Sequence, residues 1–260
     1  MDSLAAPDPL AAAQSLGEAI RGASDVIERT RRIPEPLLAR LHASRLFRML
    51  LPARAGVSEV EPGPALTTLE GIGRRAGTLA WSMLVATSPS LVAAYLSPEI
   101  ARHIYADPRT IIAWGPPNAA TADAVPGGYR VSGRWDFASG CRQANWMGVH
   151  CHVRQADGAL RQNSDGRATV RTLLFPAGGA RLLDTWDTIG MRGTASDSYT
   201  VSDLFVAEPF STTREDPRLR LEPGHLYAFP MQTLYAVGVA GVALGIGRAM
   251  LDAFMRALRQ

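Results

Sequence analysis

Lysine is missing from this 260-residue chain, so all 27 of its basic residues are arginine, set against 24 acidic ones. The formal balance of 27 − 24 = +3 is a small arginine surplus, and its densest cluster is only Arg29, Arg31 and Arg32. That pattern excludes the basic stripe of a nucleic-acid binder and demands no acidic partner. Cysteine is nearly as scarce: Cys141 and Cys151 are the only two, which excludes a disulfide-stabilised scaffold. The opening Met1-Asp2-Ser3-Leu4 carries neither a basic leader nor an apolar h-region. No export address is read there, and a reducing cytoplasm is the expected compartment.

Several familiar sites are missing as well. Ala138-Ser139-Gly140-Cys141 lacks the first glycine of a nucleophile elbow, and no phosphate-binding P-loop occurs. In His150-Cys151-His152 the two histidines share a strand face while the cysteine points away. Without a third ligand nearby, no metal site is expected, and the histidines read as residues of a surface or pocket rim. Gly71, Gly73 and Gly77 follow no strand, so they read as packing glycines rather than a dinucleotide fingerprint.

What the chain does have is core material, 47% hydrophobic residues, which excludes disorder over most of its length. Apolar positions recur at helical spacing over residues 1–108. Asp8-Pro9 starts a helix running to about Arg29, and Pro34 opens a second that buries Leu37, Leu38 and Leu41. Turn-rich Arg54–Pro64 follows, then the patterns Leu66, Leu69, Ile72 and Trp81 to Tyr95. Ser97-Pro98-Glu99 reads as the cap of a fifth helix. From Thr110 the period falls to 2, with strands at Thr110–Trp114, Tyr129–Ser132, Arg134–Ala138, Asn145–Arg154, Ala168–Phe175 and Ser198–Val206. Residues 109–222 are therefore expected to form a β barrel or sandwich.

Helical pattern returns over 223–260. Leu226–Ile246 carries no charged residue and is long enough to span a bilayer. Pro230, Gln232, Thr233 and four glycines (Gly238, Gly241, Gly245, Gly247) argue instead for a buried helix approached closely by a neighbour, and no membrane is expected. Nothing later in the chain covers such a helix, so a missing segment or another subunit is the expected cover.

The stretch Gly127-Gly128-Tyr129-Arg130-Val131-Ser132-Gly133-Arg134-Trp135-Asp136-Phe137-Ala138-Ser139-Gly140 is the informative one. A turn delivers a strand, Ser132-Gly133 bends it, and its end presents an aromatic, a small residue, a hydroxyl and a glycine. Alternation puts Phe137 and Ser139 on one face. A flat ring beside a hydroxyl suits a planar heteroaromatic cofactor, although an inward phenylalanine in a barrel wall reads the same way.

This order of helical, β and apolar helical segments, with G-G-Y-R-V-S-G-R-W-x-F-A-S-G at its centre, resembles the acyl-CoA dehydrogenase superfamily. It is most similar to the branch of two-component flavin monooxygenases that hydroxylate aromatic compounds. Ile33-Pro34 through Leu46–Pro52, Gly77-Thr78-Leu79-Ala80-Trp81 and Gly190-Met191-Arg192-Gly193-Thr194-Ala195-Ser196-Asp197 resemble further family stretches. The resemblance implies an α+β fold with an N-terminal helical domain, a β domain and the first helix of a C-terminal bundle that the chain does not complete. It implies reduced FMN or FAD, with Phe137 and Ala138 against the flavin and Ser139 as the catalytic hydroxyl near its N5. Trp114 and Asn118 match the first flavin loop, and Thr194 and Ser196 the segment bordering the site. A separate flavin reductase, molecular oxygen, a small aromatic or polyketide-like substrate and a homotetramer are implied with them. The departures are specific: Pro117–Ala122 lacks the family's glycine-arginine pair, and Thr87-Ser88-Pro89-Ser90 carries no histidine. Ala195 replaces a usual glycine, and Asp197 stands where asparagine is frequent, bringing a negative charge. Two alternatives stay open: an acyl-CoA dehydrogenase proper, and a non-catalytic partner that associates through its C-terminal helix.

Overall fold

Local capping chemistry starts the first elements. Asp8 accepts from the Leu10 N–H and opens α1 (Pro9–Ser15), which breaks at Leu16 before α2 (Gly17–Thr30). One continuous helix to Arg29 was the expectation; the two segments meet where the Arg75 guanidinium lies over Gly17, where an added Cβ would have to displace it. Pro34 precedes α3 (Glu35–Ala43), which buries Leu37, Leu38 and Leu41 as its spacing requires. Next come α4 (Pro62–Gly73), α5 (Gly77–Thr87) and a 3-10 stretch, Ser88–Tyr95. The Ser97 hydroxyl accepts from the Ile100 N–H to cap α6 (Pro98–Ile104). The last helix is α7 (Met231–Ala257). This computed structural model describes residues 8–55, 59–213 and 216–259. The readings of Met1–Leu4 and of the middle of Arg54–Pro64 lie outside the described residues.

The chain divides into two compact units. One comprises the chain up to Leu91, Thr188–Thr194 and the chain from Gly224; the other comprises Val92–Asp187 and Ala195–Pro223. The sequence boundaries at 108 and 222 thus differ from the structural ones. α6 and the segment before it fall with the strands, and the two terminal helical segments form a single unit.

In the helical unit α7 lies on α4 through small residues. A Cβ at Gly241 would stand 2.7 Å from the Leu66 carbonyl oxygen, and one at Gly245 would stand 2.4 Å from that of Glu70. Gly73 and Gly77 likewise meet Val242, Gly245 and Ile246, in keeping with their reading as packing glycines. Burial on α7 is a stripe, with Met231, Leu234, Gly238, Gly241, Val242 and Gly245 inside. Leu244, Met250, Leu251, Phe254 and Leu258 are exposed and Gly247 faces open space, so the helix is not buried on all sides. Gly77–Tyr95 and Met231–Ala257 both have the length and composition to cross a membrane, and the first is 83% buried in protein. The Glu28 carboxylate on α2 grips the Thr188–Thr194 segment, accepting from the Arg192 N–H (2.9 Å), the Gly193 N–H (3.3 Å) and the Thr78 hydroxyl.

The other unit is built on one mixed sheet, with β1 (Ile112–Trp114), β2 (Thr121–Val125), β3 (Gly128–Ala138), β4 (Trp146–Arg154), β5 (Val170–Pro176), β6 (Arg181–Leu183), β7 (Asp197–Ala207) and β8 (Ser211–Thr212). The strand order is β6-β7-β3-β2-β4-β5-β8, with β1 also paired to β4. β1 and β2 run parallel to β4; the remaining pairings are antiparallel. β3 is one strand rather than two, and the Ser132-Gly133 bend appears as a register shift against β7 between Val131 and Gly133.

Trp135 and Tyr199 stack at 5.6 Å in the core of this unit. The Trp135 indole N–H donates to the His150 carbonyl (3.0 Å) and the Tyr199 hydroxyl donates to that of Gly148 (2.5 Å). Burying one such aromatic removes ~150–250 Å² from water, worth about 4–6 kcal/mol at ~25 cal/mol/Å². With their polar tips satisfied, the two rings fix the strand pair β3–β7 that carries the candidate site.

Candidate functional site

The end of β3 departs from the pleat. Trp135 pairs with Tyr199 and Ala138 with Asp197, so β3 spends one more residue than β7 over this interval. That extra residue is a bulge, and Phe137 takes up the turn with φ +62°, a left-handed backbone that a residue bearing Cβ adopts only at a cost. Simple alternation therefore does not hold here. The Phe137 ring is 62% exposed, whereas Ala138 is sealed in the core, backbone included. A tight turn follows, in which the Ser139 N–H donates to the Phe137 carbonyl (2.9 Å) and the Cys141 N–H to that of Ala138 (3.1 Å).

Ser139 is 9% exposed, and its hydroxyl forms a 2.7 Å hydrogen bond with the hydroxyl of Ser196, in which either oxygen can be the donor. Ser196 follows Ala195, whose φ of +43° explains physically why glycine suits that position. The structure thus brings Phe137, Ala138, Ser139 and Ser196 together. Trp114 sits on β1, its indole against Gly148 and edge-on to the His150 ring at 4.9 Å. Asn118 ties its loop to β3, its amide nitrogen donating to the Arg134 carbonyl (2.8 Å) and its oxygen accepting from the Ala120 N–H (2.8 Å). Thr194 belongs to the helical unit, where its buried hydroxyl donates to the Met191 carbonyl (2.9 Å).

The charge at Asp197 is not loose. Its carboxylate is 2% exposed and accepts from Arg142 Nε (2.6 Å) and from the Thr185 and Trp186 N–H groups (3.0 Å each). Asp136 beside it is held below the ordinary carboxylate range, first by the Ser198 hydroxyl and then by Arg134. Trp186, which motif reasoning did not single out, stands edge-on to Phe137 at 6.2 Å and 85°. Its signal was available, since it is the one aromatic between Asp184 and Thr194.

Among the described residues no group of three or more His, Cys, Asp or Glu is placed to hold a metal ion. His150 lies inside rather than at a rim, bonded through Nδ1 to the Thr172 hydroxyl (2.9 Å), and Cys151 joins the core. Burial pushes the thiols of Cys141 and Cys151 up to about 12, so neither is a nucleophile at neutral pH.

The exposed ring, its aromatic neighbour and the paired hydroxyls suit the flat, hydrogen-bonding ring of a flavin, because a hydroxyl can both donate to and accept from a ring nitrogen.

No family model matches the chain. It is similar to an indole-3-acetate monooxygenase of Pseudomonas putida, with 32% identity over 266 residues that cover 97% of this chain and 64% of that protein. It is similar also to the flavin-dependent monooxygenase oxygenase subunit HsaA of Rhodococcus jostii, with 25% identity over 90% of this chain and 61% of that protein. It thus spans less than two thirds of either relative. Among solved structures it superimposes on XiaF from Streptomyces sp. in complex with FADH2 and glycerol, with a TM-score of 0.82 and 24% identity over 93% of this chain and 61% of that one. The chain is a relative of the oxygenase components of two-component flavin-dependent monooxygenases and has their acyl-CoA dehydrogenase-like fold.

Proposed function

We propose that the chain carries the helical and β portions of a monooxygenase that hydroxylates a small aromatic molecule with reduced FMN or FAD delivered by a separate flavin reductase. The observation that supports it best is the Phe137 bulge: an aromatic ring held outward on left-handed backbone, two residues from a buried hydroxyl pair. Strain of this kind persists only where the surrounding structure over-determines it, and it clusters at functional sites. When bound, the reduced flavin supplies the electrons that split molecular oxygen between substrate and water.

The chain's own groups then have distinct tasks. Phe137 supports a face of the ring. Ser139 meets a ring nitrogen, and Ser196 lets it do so in either sense: when Ser139 donates outward it accepts from Ser196, and when it accepts from the ligand it donates to Ser196. We place Ala138 behind the same ring, and Trp114 and Asn118 at the margins of the site. On this reading the sheet is the family's β barrel and α7 the opening helix of its C-terminal bundle, whose exposed apolar side is covered in a homo-oligomer. A reducing cytoplasm suits two buried free thiols.

The test is anaerobic titration of the protein with reduced FMN and FAD, followed by oxygen and a panel of indoles and phenols, in wild type, Phe137→Ala and Ser139→Ala. Ser139→Ala is expected to raise hydrogen peroxide release more than it weakens flavin affinity, because it removes a contact to the reacting ring while leaving the ring's support. Unchanged coupling in Ser139→Ala together with unchanged affinity in Phe137→Ala overturns the assignment.

A further inference from the structure

We infer that Asp197 and Arg142 are positioning residues of the candidate site and that Trp186 is the side chain they position. The inference rests on the flavin reading of the Phe137 bulge.

Residues 184–196 join β6 to β7 without forming a strand of their own, and such a connection would ordinarily leave an aromatic side chain free to swing. Here the stretch is fastened at three successive residues. The Asp184 carboxylate accepts from the Arg142 guanidinium (2.8 Å), and the same guanidinium donates through Nε to Asp197 (2.6 Å). The Thr185 and Trp186 N–H groups converge on the other Asp197 oxygen (3.0 Å each). The Thr185 hydroxyl accepts from the Ser198 N–H (2.9 Å) and pairs with the Ser198 hydroxyl, which in turn donates to Asp136 (2.6 Å), the residue preceding Phe137.

A buried carboxylate is an uneconomical way to stabilise a sheet, because an apolar residue of similar volume does as well without desolvating a charge. What a carboxylate can do and an apolar residue cannot is point several donors at one place. Asp197 stands opposite Ala138 in the β3–β7 register, so the anchor that fixes the Trp186 backbone is tied to the same rung as the residue following Phe137. Both walls of the aromatic corner are therefore referenced to one point. The rings stand at 85° to each other, so a flat ligand laid on one ring would meet the other at an edge.

The test uses the full chain in a double-mutant cycle of Asp197→Asn and Trp186→Phe. Asparagine keeps an oxygen for the two N–H groups but presents no anion to Arg142. Asp123→Asn on β2, which breaks an exposed ion pair with Arg154 on β4, serves as the control. The rate constant of peroxide release after oxygen is admitted is the readout, beside flavin affinity and tryptophan emission. Asp197→Asn is expected to raise that rate constant by ~10-fold to ~100-fold, the scale of a small misplacement at a reacting centre. It should add nothing in the Trp186→Phe background. A merely structural residue would give additive effects, and that additivity, or an unchanged rate constant in Asp197→Asn, overturns the inference. Should Asp197→Asn fail to fold, Thr185→Val, which removes only the hydroxyl bridge to Ser198, is read in the same cycle with the same two outcomes. If Phe137→Ala is also without effect on flavin, the flavin reading has failed; if Phe137→Ala acts and Asp197→Asn does not, only the positioning role has failed.

Discussion

Taking the protein from pH 8 to pH 11 isolates the contribution of two buried thiols. Cys141 and Cys151 are both inside the sheet unit, and burial raises each from the ordinary value near 9 to about 12, the Asp197 charge adding to the effect at Cys141. The folded state therefore keeps its thiols neutral in a range where the unfolded chain ionises them. The stabilisation is fully present below pH 9 and is lost as pH rises toward 12. By pH 11 the loss is ~2–3 kcal/mol per thiol and ~5 kcal/mol for the pair. Tyr199, whose phenol burial also raises, acts in the same direction. Tyr95 and Tyr235, also raised by burial, add to the loss in both proteins alike, so the difference between wild type and the cysteine variant is the quantity that reports the thiols; carboxylates are ionised throughout, arginine stays charged, and the chain has no lysine. Urea midpoints at the two pH values, in wild type and in Cys141→Ala/Cys151→Ala, measure it. The double variant should start lower at pH 8 and lose ~5 kcal/mol less on the way to pH 11. Equal losses in the two proteins would refute the claim that these thiols are held neutral by burial.

Two neighbouring glycines of α7 should respond in opposite senses to alanine. Gly245→Ala forces a methyl against the backbone of α4 and is expected to cost ~2–3 kcal/mol, whereas Gly247→Ala meets open space and should add up to ~1 kcal/mol of helix propensity, both read from thermal midpoints. At Ala195, buried with φ +43°, valine should cost ~2–4 kcal/mol. Glycine should stay within ~1 kcal/mol of wild type, relief of strain offsetting the lost methyl. Urea denaturation of the two variants checks the contrast.

Much of the scaffold is written in local chemistry. Asp8 and Ser97 cap the helices they precede, Leu37, Leu38 and Leu41 point inward, and the turn at Pro126-Gly127-Gly128 delivers β3. What is not local is not legible. Thr121–Val125 has two alanines and an aspartate, poor strand formers, and becomes β2 because β3 and β4 pair with it on either side. The bulge at Phe137 is a register event between strands some sixty residues apart, so alternation along one strand misplaces the ring relative to Ser139. Asp197 reads from the sequence as a stray charge, since nothing in the neighbouring residues announces that Arg142 and two backbone amides converge on it. The motif marks Phe137, Ser139 and Ser196, which the structure brings together. The alignment of Trp186 with them depends on a loop whose conformation is set by tertiary hydrogen bonds.

Under the proposed function, a ring presented on left-handed backbone makes position 137 a place where folding and activity pull apart. Glycine or asparagine would relax the main chain there and raise the melting point while discarding the aromatic surface; a β-branched side chain would fail on both counts. A deep mutational scan read separately for abundance and for turnover should show this residue among the sharpest disagreements between the two maps, and selection for thermal tolerance alone would erode it first.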